Sequence, residues 1–261
     1  MITDYAAFMS GPDRDALKRI LAIDVGATTI KFCHVDEEGN LLESVRRRPT
    51  PAPCRPERLV EILSTRIARC GCRLVGVGFP GEVNSGRVID PGNLARGNGV
   101  DAELDYSVRD EWLGFALEEQ LCDATGREVR VLNDAALAAI GACTGWGTEL
   151  VLTLGTGLGL ALQVDGRFQR VRDVGALEFT AGRTYDDHFG ERSRARDEEA
   201  WRMSLLAAVS GFVQEFGATS VYLAGGNARR LSPGLFGALK VPVFIRGNES
   251  GLMGVAKLFY E

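Results

Sequence analysis

The sequence predicts an α/β protein built from two lobes with mixed sheets, and three observations carry that expectation. Two glycine-centred turns, Asp24-Val25-Gly26-Ala27-Thr28-Thr29 and Thr153-Leu154-Gly155-Thr156-Gly157-Leu158-Gly159, fall in opposite halves of the 261-residue chain. Each lies between short apolar runs, residues 20–23 and 30–35 around the first, 150–152 and 160–164 around the second. Run, tight turn and run make a hairpin. After each hairpin, helical and strand patterns alternate, and this rhythm occurs twice. It therefore indicates two α/β lobes with mixed sheets rather than a single dinucleotide-binding unit.

The elements follow in order. Strands are expected at 20–23, 29–35 and 41–45, with Glu38-Gly39-Asn40 turning the second into the third. Arg46-Arg47-Arg48 reads as a solvated strand end. Pro51, Pro53 and Pro56 stiffen the link to a helix over 56–69, which has proline at its start and leucine, valine and isoleucine on one face. The apolar run 74–79 is a buried strand ended by Pro80-Gly81. Residues 109–122 read as a helix, 128–132 as a strand and 135–143 as a helix of small residues.

In the second half, the hairpin over 150–164 precedes a charged stretch at 180–199. A long helix over 198–216 carries Trp201, Leu205, Leu206, Val209, Phe212 and Val213 at helical spacing. A strand at 220–223, a turn at Ala224-Gly225-Gly226-Asn227, a strand at 241–245 and a helix at 251–259 close the chain. Trp112, Trp146 and Trp201 are read as core residues rather than stacking platforms. The domains expected are an extension (1–19), a small lobe (20–132, joined by the C-terminal helix 249–261) and a large lobe (133–248).

A composition 45% hydrophobic and 25% charged suits a globular protein long enough to bury a core. The net charge of −5 argues against nucleic acid as an obligate partner. No apolar stretch approaches the roughly 20 residues that span a bilayer, and Met1-Ile2-Thr3-Asp4 does not begin a signal peptide. Of the six cysteines, at 33, 54, 70, 72, 122 and 143, only Cys70-Gly71-Cys72 are close, with one residue between them, too few for a zinc knuckle. The two histidines, His34 and His188, lie away from any cysteine pair in sequence. No zinc, reduced thiols, no membrane and a cytoplasmic location are expected.

Around Gly26, Thr28 and Thr29, and again around Gly155, Thr156 and Gly157, the turns offer backbone N–H groups and small hydroxyls, which suit phosphate oxygens. Two such turns suggest lobes closing on one polyphosphate, and hence phosphoryl transfer. Asn133-Asp134 joins a strand end to a helix start and has two readings. One is a helix N-cap; the other is a carboxylate base that activates an alcohol. Gly225-Gly226-Asn227 is either a plain strand–helix turn or a close approach to a flat ligand or phosphate.

Taken in order, these segments resemble the ROK family of sugar kinases, within the actin-like ATPase (ribonuclease H-like) superfold with a central cleft. Asp24-x-Gly26-x-Thr28-Thr29-x-Lys31 is similar to the family's first phosphate motif, and Leu154-Gly155-Thr156-Gly157-Leu158-Gly159 to its second. Gly76-Val77-Gly78-Phe79-Pro80-Gly81-Glu82-Val83 resembles the segment leading to the sugar site, Asn93-Leu94-x-x-Gly97 the sugar-side loop, Asn133-Asp134 the catalytic pair and Gly225-Gly226 the adenosine-side turn. Thr184-Tyr185-Asp186-Asp187-x-Phe189-Gly190, together with Gly225-Gly226-Asn227-Ala228, is similar to the zinc-free polyphosphate glucokinase-like branch.

The resemblance implies a kinase passing a terminal phosphoryl group from ATP or polyphosphate to a hexose primary hydroxyl. Asp134 would be the base, with Asn93, Asn133 and Asp173 orienting the sugar. Asp24 would position Mg²⁺ through water, Lys31, Gly225, Gly226 and Asn227 complete the donor side, and the enzyme would be a homodimer. One departure stands out: where the family has Glu-x-Gly-His, this chain has Asp173-Val174-Gly175-Ala176. Glu178 is either a replacement for the lost imidazole or a solvated structural residue. The altered pair leaves open an amino-sugar or cyclitol kinase, or an inactive sugar sensor on the same fold.

Overall fold

The computed structural model describes residues 19–97, 103–169, 171, 174–247 and 249–260, so the expected extension lies outside them except for Arg19. The chain forms two compact units, Met1–Asp134 with Val255–Glu261, and Ala135–Gly254.

The first unit is built on a five-stranded sheet of order β3-β2-β1-β4-β7. Strand β1 (Ile20–Val25) is almost wholly buried and pairs antiparallel with β2 (Thr29–Val35), the Gly26 N–H donating to Thr29 O at 3.0 Å across the turn. Strand β3 (Arg46–Pro49) runs antiparallel to β2, all four residues exposed, so the arginine run is an edge strand rather than a strand end. The strand expected at 41–45 is absent; Leu41 makes only an isolated bridge to Val35. The cause is local. Asp36 Oδ1 accepts the Glu38 and Asn40 N–H groups, and Glu43 turns in to bind His34, which takes this stretch off the ladder until Arg46.

Helix α1 (Pro56–Ile67) starts on a proline and buries Leu59, Ile62, Leu63 and Ile67. Strand β4 (Leu74–Phe79) is fully buried and parallel to β1, as a central parallel strand must be. After the hairpin of β5 (Glu82–Asn84) and β6 (Arg87–Asp90), the helix expected at 109–122 is two helices, α2 (Tyr106–Trp112) and α3 (Leu117–Thr125). Gly114 breaks them: its φ of 76° is left-handed, and its N–H leaves the helix for Val88 O at 2.8 Å. Strand β7 (Glu128–Asn133) lies parallel to β4.

The second unit repeats the arrangement, its sheet ordered β10-β9-β8-β13-β14. Strands β8 (Thr148–Leu154), β9 (Leu158–Val164) and β10 (Arg167–Gln169) are antiparallel neighbours. The small hairpin of β11 (Glu178–Thr180) and β12 (Arg183–Thr184) follows; β13 (Ser220–Ala224) and β14 (Val243–Ile245) continue the sheet in parallel. The charged stretch holds α5 (Tyr185–Phe189) and α6 (Glu191–Arg196), and α7 (Glu198–Phe216) is capped by Asp197 and ended by Gly217. Helix α4 (Asp134–Ala142) is rich in alanine because α8 (Ser250–Gly254) lies against its backbone. A Cβ on Gly141 would sit 2.2 Å from Ser250 O, and one on Gly254 2.1 Å from Leu137 O. The closing helix breaks before α9 (Lys257–Tyr260).

Two tryptophans are core residues. Trp112 donates to Cys54 O at 2.7 Å and Trp201 to Phe189 O at 3.0 Å. Trp146 is not; it is 81% exposed in the loop before β8. That loop is held by Glu149, whose buried carboxylate accepts from the Thr144 N–H and hydroxyl, the Gly145 N–H and the Tyr222 hydroxyl, all within 2.9 Å. Burial pushes the Glu149 carboxyl up, but the Thr144, Tyr222 and Gly145 hydrogen bonds outweigh it and hold the group below its ordinary value. No helix among the described residues is long and apolar enough to cross a membrane.

Candidate active site

In the first unit, sheet register collects the expected residues. Asp24 is level with Gly78, Gly78 with Leu132, and Phe79 with Asn133. The carboxyl ends of β1, β4 and β7 therefore set Asp24, Pro80-Gly81 and Asn133-Asp134 along one sheet edge, where open α/β sheets carry their ligands. Neighbouring strands are about 4.8 Å apart, so two steps cover only about 10 Å.

Asp24 and Lys31 are register partners on β1 and β2 and form an ion pair at 2.7 Å, with side chains 15% and 14% exposed. The turn between them is tied from behind. Thr50 gives its hydroxyl to Gly26 O at 2.7 Å and its N–H to Thr28 O at 3.0 Å. With these carbonyls occupied, the exposed Thr28 and half-buried Thr29 hydroxyls are left for a ligand.

The adjoining loops pack with no room for side chains. A Cβ on Gly81 would lie 2.1 Å from Asp90 O, and one on Gly92 2.2 Å from Pro80 O. Asp90 Oδ1 accepts the Gly92 N–H at 2.7 Å, and Asn93 follows, half-buried, in a single 3-10 turn, Gly92–Ala95. The Asn133 amide donates to Gly81 O at 2.9 Å and lies 3.4 Å from Asp134 Oδ1, so it links the loop to the carboxylate. Asp134 is itself the first residue of α4.

The second unit shapes its turn similarly. Asn227 accounts for two carbonyls: its N–H donates to Leu154 O and its amide to Gly155 O, both at 3.0 Å. Gly155 O also receives the Glu191 N–H at 2.9 Å. Gly225, at φ 89°, lets β13 end against this turn, since a Cβ there would meet Leu154 O at 2.5 Å. Gly226 is exposed beside it. The buried Arg194 fixes Asn227 by donating to its Oδ1 at 3.2 Å, and Glu191 and Glu198 hold that guanidinium in turn. Among the described residues the Thr156 and Gly157 N–H groups take no partner, whereas the Gly155 N–H is spent on Gly157 O at 3.1 Å.

Three of these supports were not foreseen from sequence: Thr50, Arg194 and Asp186. Asp186 Oδ1 accepts the Leu158 N–H at 2.7 Å. A Cβ on Gly157 would lie 2.2 Å from that oxygen, and one on Gly175 2.6 Å from it. The only sequence signal was the Tyr185-Asp186-Asp187 string, where two adjacent acids have separate jobs. Asp187 forms the capping box of α5 with Thr184, while Asp186 steadies the turn. Asp173 lies outside the described residues; Ala176 is exposed, and Glu178 Oε1 accepts the Gly182 N–H at 2.9 Å within its own hairpin.

Asp24 suits a hydrated Mg²⁺. Lys31 occupies Oδ2, and Oδ1 takes no partner among the described residues. Mg²⁺ keeps several waters and uses one or two carboxylates beside phosphate oxygens, which agrees with the Asp24 carboxylate next to the hydroxyl-bearing Thr28-Thr29 turn. Among the described residues, no three His, Cys, Asp or Glu side chains group as a metal cage.

Two mixed five-stranded sheets of one order, each with a glycine turn in its central hairpin, define an actin-like ATPase fold. The chain belongs to the ROK family, whose model matches residues 20–175. It is 30% identical over 168 residues to the glucokinase of Streptomyces coelicolor, covering 61% of this chain and 48% of that protein. The chain thus spans about half the length of that relative. It is 25% identical over 255 residues to the polyphosphate glucokinase of Mycobacterium leprae, covering 91% of this chain and 74% of that protein. Among solved structures, the inorganic polyphosphate/ATP-glucomannokinase of Arthrobacter sp. strain KM superposes with a TM-score of 0.74 at 28% identity, covering 92% and 97% of the two chains. A ROK family glucokinase from Streptomyces griseus, solved with glucose and AMPPNP, shares the fold with a TM-score of 0.69 at 19% identity, covering 92% and 98%.

Proposed function

We propose that this protein is a sugar kinase that transfers the terminal phosphoryl group of ATP or polyphosphate to a primary hydroxyl of a hexose. The observation that carries the proposal is the alignment of Asp24, Gly81 and Asn133-Asp134 along one sheet edge. Asp134 takes the proton of the acceptor hydroxyl while that oxygen attacks the terminal phosphorus and the bond to the leaving phosphate oxygen breaks. Asn133 keeps the carboxylate against the Pro80-Gly81 loop, and Asn93, Asn133 and Asp173 orient the polyol. The Thr28, Thr29 and Thr156 hydroxyls and the Thr156 and Gly157 N–H groups hold phosphate oxygens, and Lys31 keeps Asp24 in place. Mg²⁺, when bound through water to Asp24, offsets charge on the phosphate oxygens.

A second reading, a kinase for an amino sugar or a cyclitol, is favoured by Ala176, which brings no imidazole to the sugar side, and by Glu178, which is engaged with Gly182. One screen tests both. Purified protein is incubated with Mg²⁺, ATP or polyphosphate, and a panel of hexoses, amino sugars and cyclitols, and product is read by mass. Glucose 6-phosphate supports the first reading and a phosphorylated amino sugar or cyclitol the second; no phosphorylated product from any pair defeats both.

A further inference from the structure

Away from the strand ends that carry the site, the first unit gathers Cys70, Cys72, His34 and Glu43 where α1 turns into β4. Gly71, at φ 71°, folds the chain back so that the Cys72 N–H donates to Cys70 Sγ at 3.2 Å. Each thiol also approaches the other residue's carbonyl, Cys70 Sγ at 3.8 Å from Cys72 O and Cys72 Sγ at 3.6 Å from Cys70 O. Beside them His34, on β2, binds Glu43 Oε1 through Nδ1 at 2.6 Å, while its buried Nε2 has no hydrogen-bond partner among the described residues. Cys70 is half-buried, whereas Cys72 is 1% exposed.

We propose that Cys70 and Cys72 form a peroxide-reactive dithiol: Cys70 attacks first, His34 held by Glu43 takes its proton, and Cys72 resolves the oxidised sulfur as a Cys70–Cys72 disulfide. The Cys70 thiolate attacks one oxygen of a hydroperoxide, the O–O bond breaks, and the leaving oxyanion takes the proton held on His34. Sulfur is oxidised by two electrons to a sulfenic acid and the peroxide is reduced. Cys72 then gives up its proton, its sulfur attacks Cys70 Sγ, the S–OH bond breaks and water leaves with that proton.

Electrostatics agree with this division of labour. The hydrogen bond with Cys72, aided by His34 and the Cys72 N–H, pulls the Cys70 thiol well below its ordinary value, while the Cys70 sulfur and burial push Cys72 up. His34 is held above its ordinary value by Cys70 first and by Glu43, against burial and the Arg66 charge. Arg66 and Arg46 also face Glu43, and Arg19 and Arg127 bear on Cys72. A cysteine with these neighbours attacks as thiolate at a pH where an ordinary thiol is about 1% ionised, near 6.5.

The test uses the intact protein at pH 6.5. Iodoacetamide should modify Cys70 at least about tenfold faster than Cys122, which is also half-buried. One equivalent of hydrogen peroxide should join Cys70 to Cys72 in wild type, and Cys72→Ser should instead yield a dimedone adduct at Cys70. His34→Asn should slow Cys70 alkylation at pH 6.5 but not at pH 9.5, where the thiol ionises unaided; a merely structural role for His34 would not give that pH dependence. Equal alkylation of Cys70 and Cys122, or a peroxide-treated wild type without the disulfide, overturns the proposal. Both of these measurements use unmutated protein, so a misfolded variant does not protect it.

Discussion

The carboxylate of Asp186 receives the Leu158 N–H at 2.7 Å, in a space that two glycines, Gly157 and Gly175, leave open. A side chain on either glycine must displace Asp186, and the turn that it steadies moves with it. Gly157→Ala is therefore expected to cost about 1–3 kcal/mol of stability, the scale of overpacking. It should also raise the KM for the phosphoryl donor. Because both changes act on one contact, Gly157→Ala with Asp186→Ala should lose less than the sum of the single variants. Urea titrations of the three variants read this directly, and strictly additive losses would show that the carboxylate does not depend on the missing Cβ.

Asp134→Asn removes the proposed base but keeps the side chain's shape and a hydrogen-bonding oxygen near Asn133. Turnover should fall by about 10² or more, the usual scale for acid–base catalysis, with little change in the melting temperature. Initial rates beside a thermal melt check it. A rate close to wild type would remove Asp134 from the mechanism.

Glu149 makes stability depend on pH. Its carboxyl lies below the ordinary value when folded, so its contribution is complete above the unfolded value, near 4.5, and is lost as pH falls through the folded value. Wild type should therefore weaken between about pH 5 and pH 3 more steeply than Glu149→Gln. The variant should itself be less stable at pH 7 by about 1–3 kcal/mol, since its amide N–H cannot accept from Gly145. Parallel urea curves for the two proteins across that range would contradict the assignment.

On the proposed reading, Ala176 is where acceptor choice is open to change. Ala176→His with Asp173→Glu supplies the Glu-x-Gly-His side chains that the resemblance to ROK sugar kinases implies on the sugar side. Each regained hydrogen bond contributes on the order of 1 kcal/mol, so glucose kcat/KM should rise roughly 10- to 100-fold. Efficient glucose turnover by wild type, with no gain in the variant, would mean that the sugar side is already complete without the imidazole.

Much of this was legible in the sequence, for reasons that differ by element. Strands β2 and β4 and helix α7 occupy the predicted spans, because each joins a strong apolar pattern to clear end signals such as Pro80-Gly81 and Gly217. The 41–45 segment failed because Glu43 inside it turns in to His34, a partner on β2 that local pattern does not show. The 109–122 helix failed because a partner on β6, Val88, draws the Gly114 N–H out of the helix. On the site, Asp24, Gly81, Asn93 and Asn133-Asp134 belong to recognisable segments. Thr50, Arg194 and Asp186 act on a turn from far along the chain, and only a fold brings them there.

The three indoles divide the molecule optically. Trp112 is a wholly enclosed fluorophore in the first unit, Trp201 a nearly enclosed one in the second, and Trp146 is almost bare. Acrylamide should quench Trp146 first. A Trp146→Phe protein then emits from one buried reporter per unit, and removing either of those in turn separates the melting of one unit from that of the other without any added label.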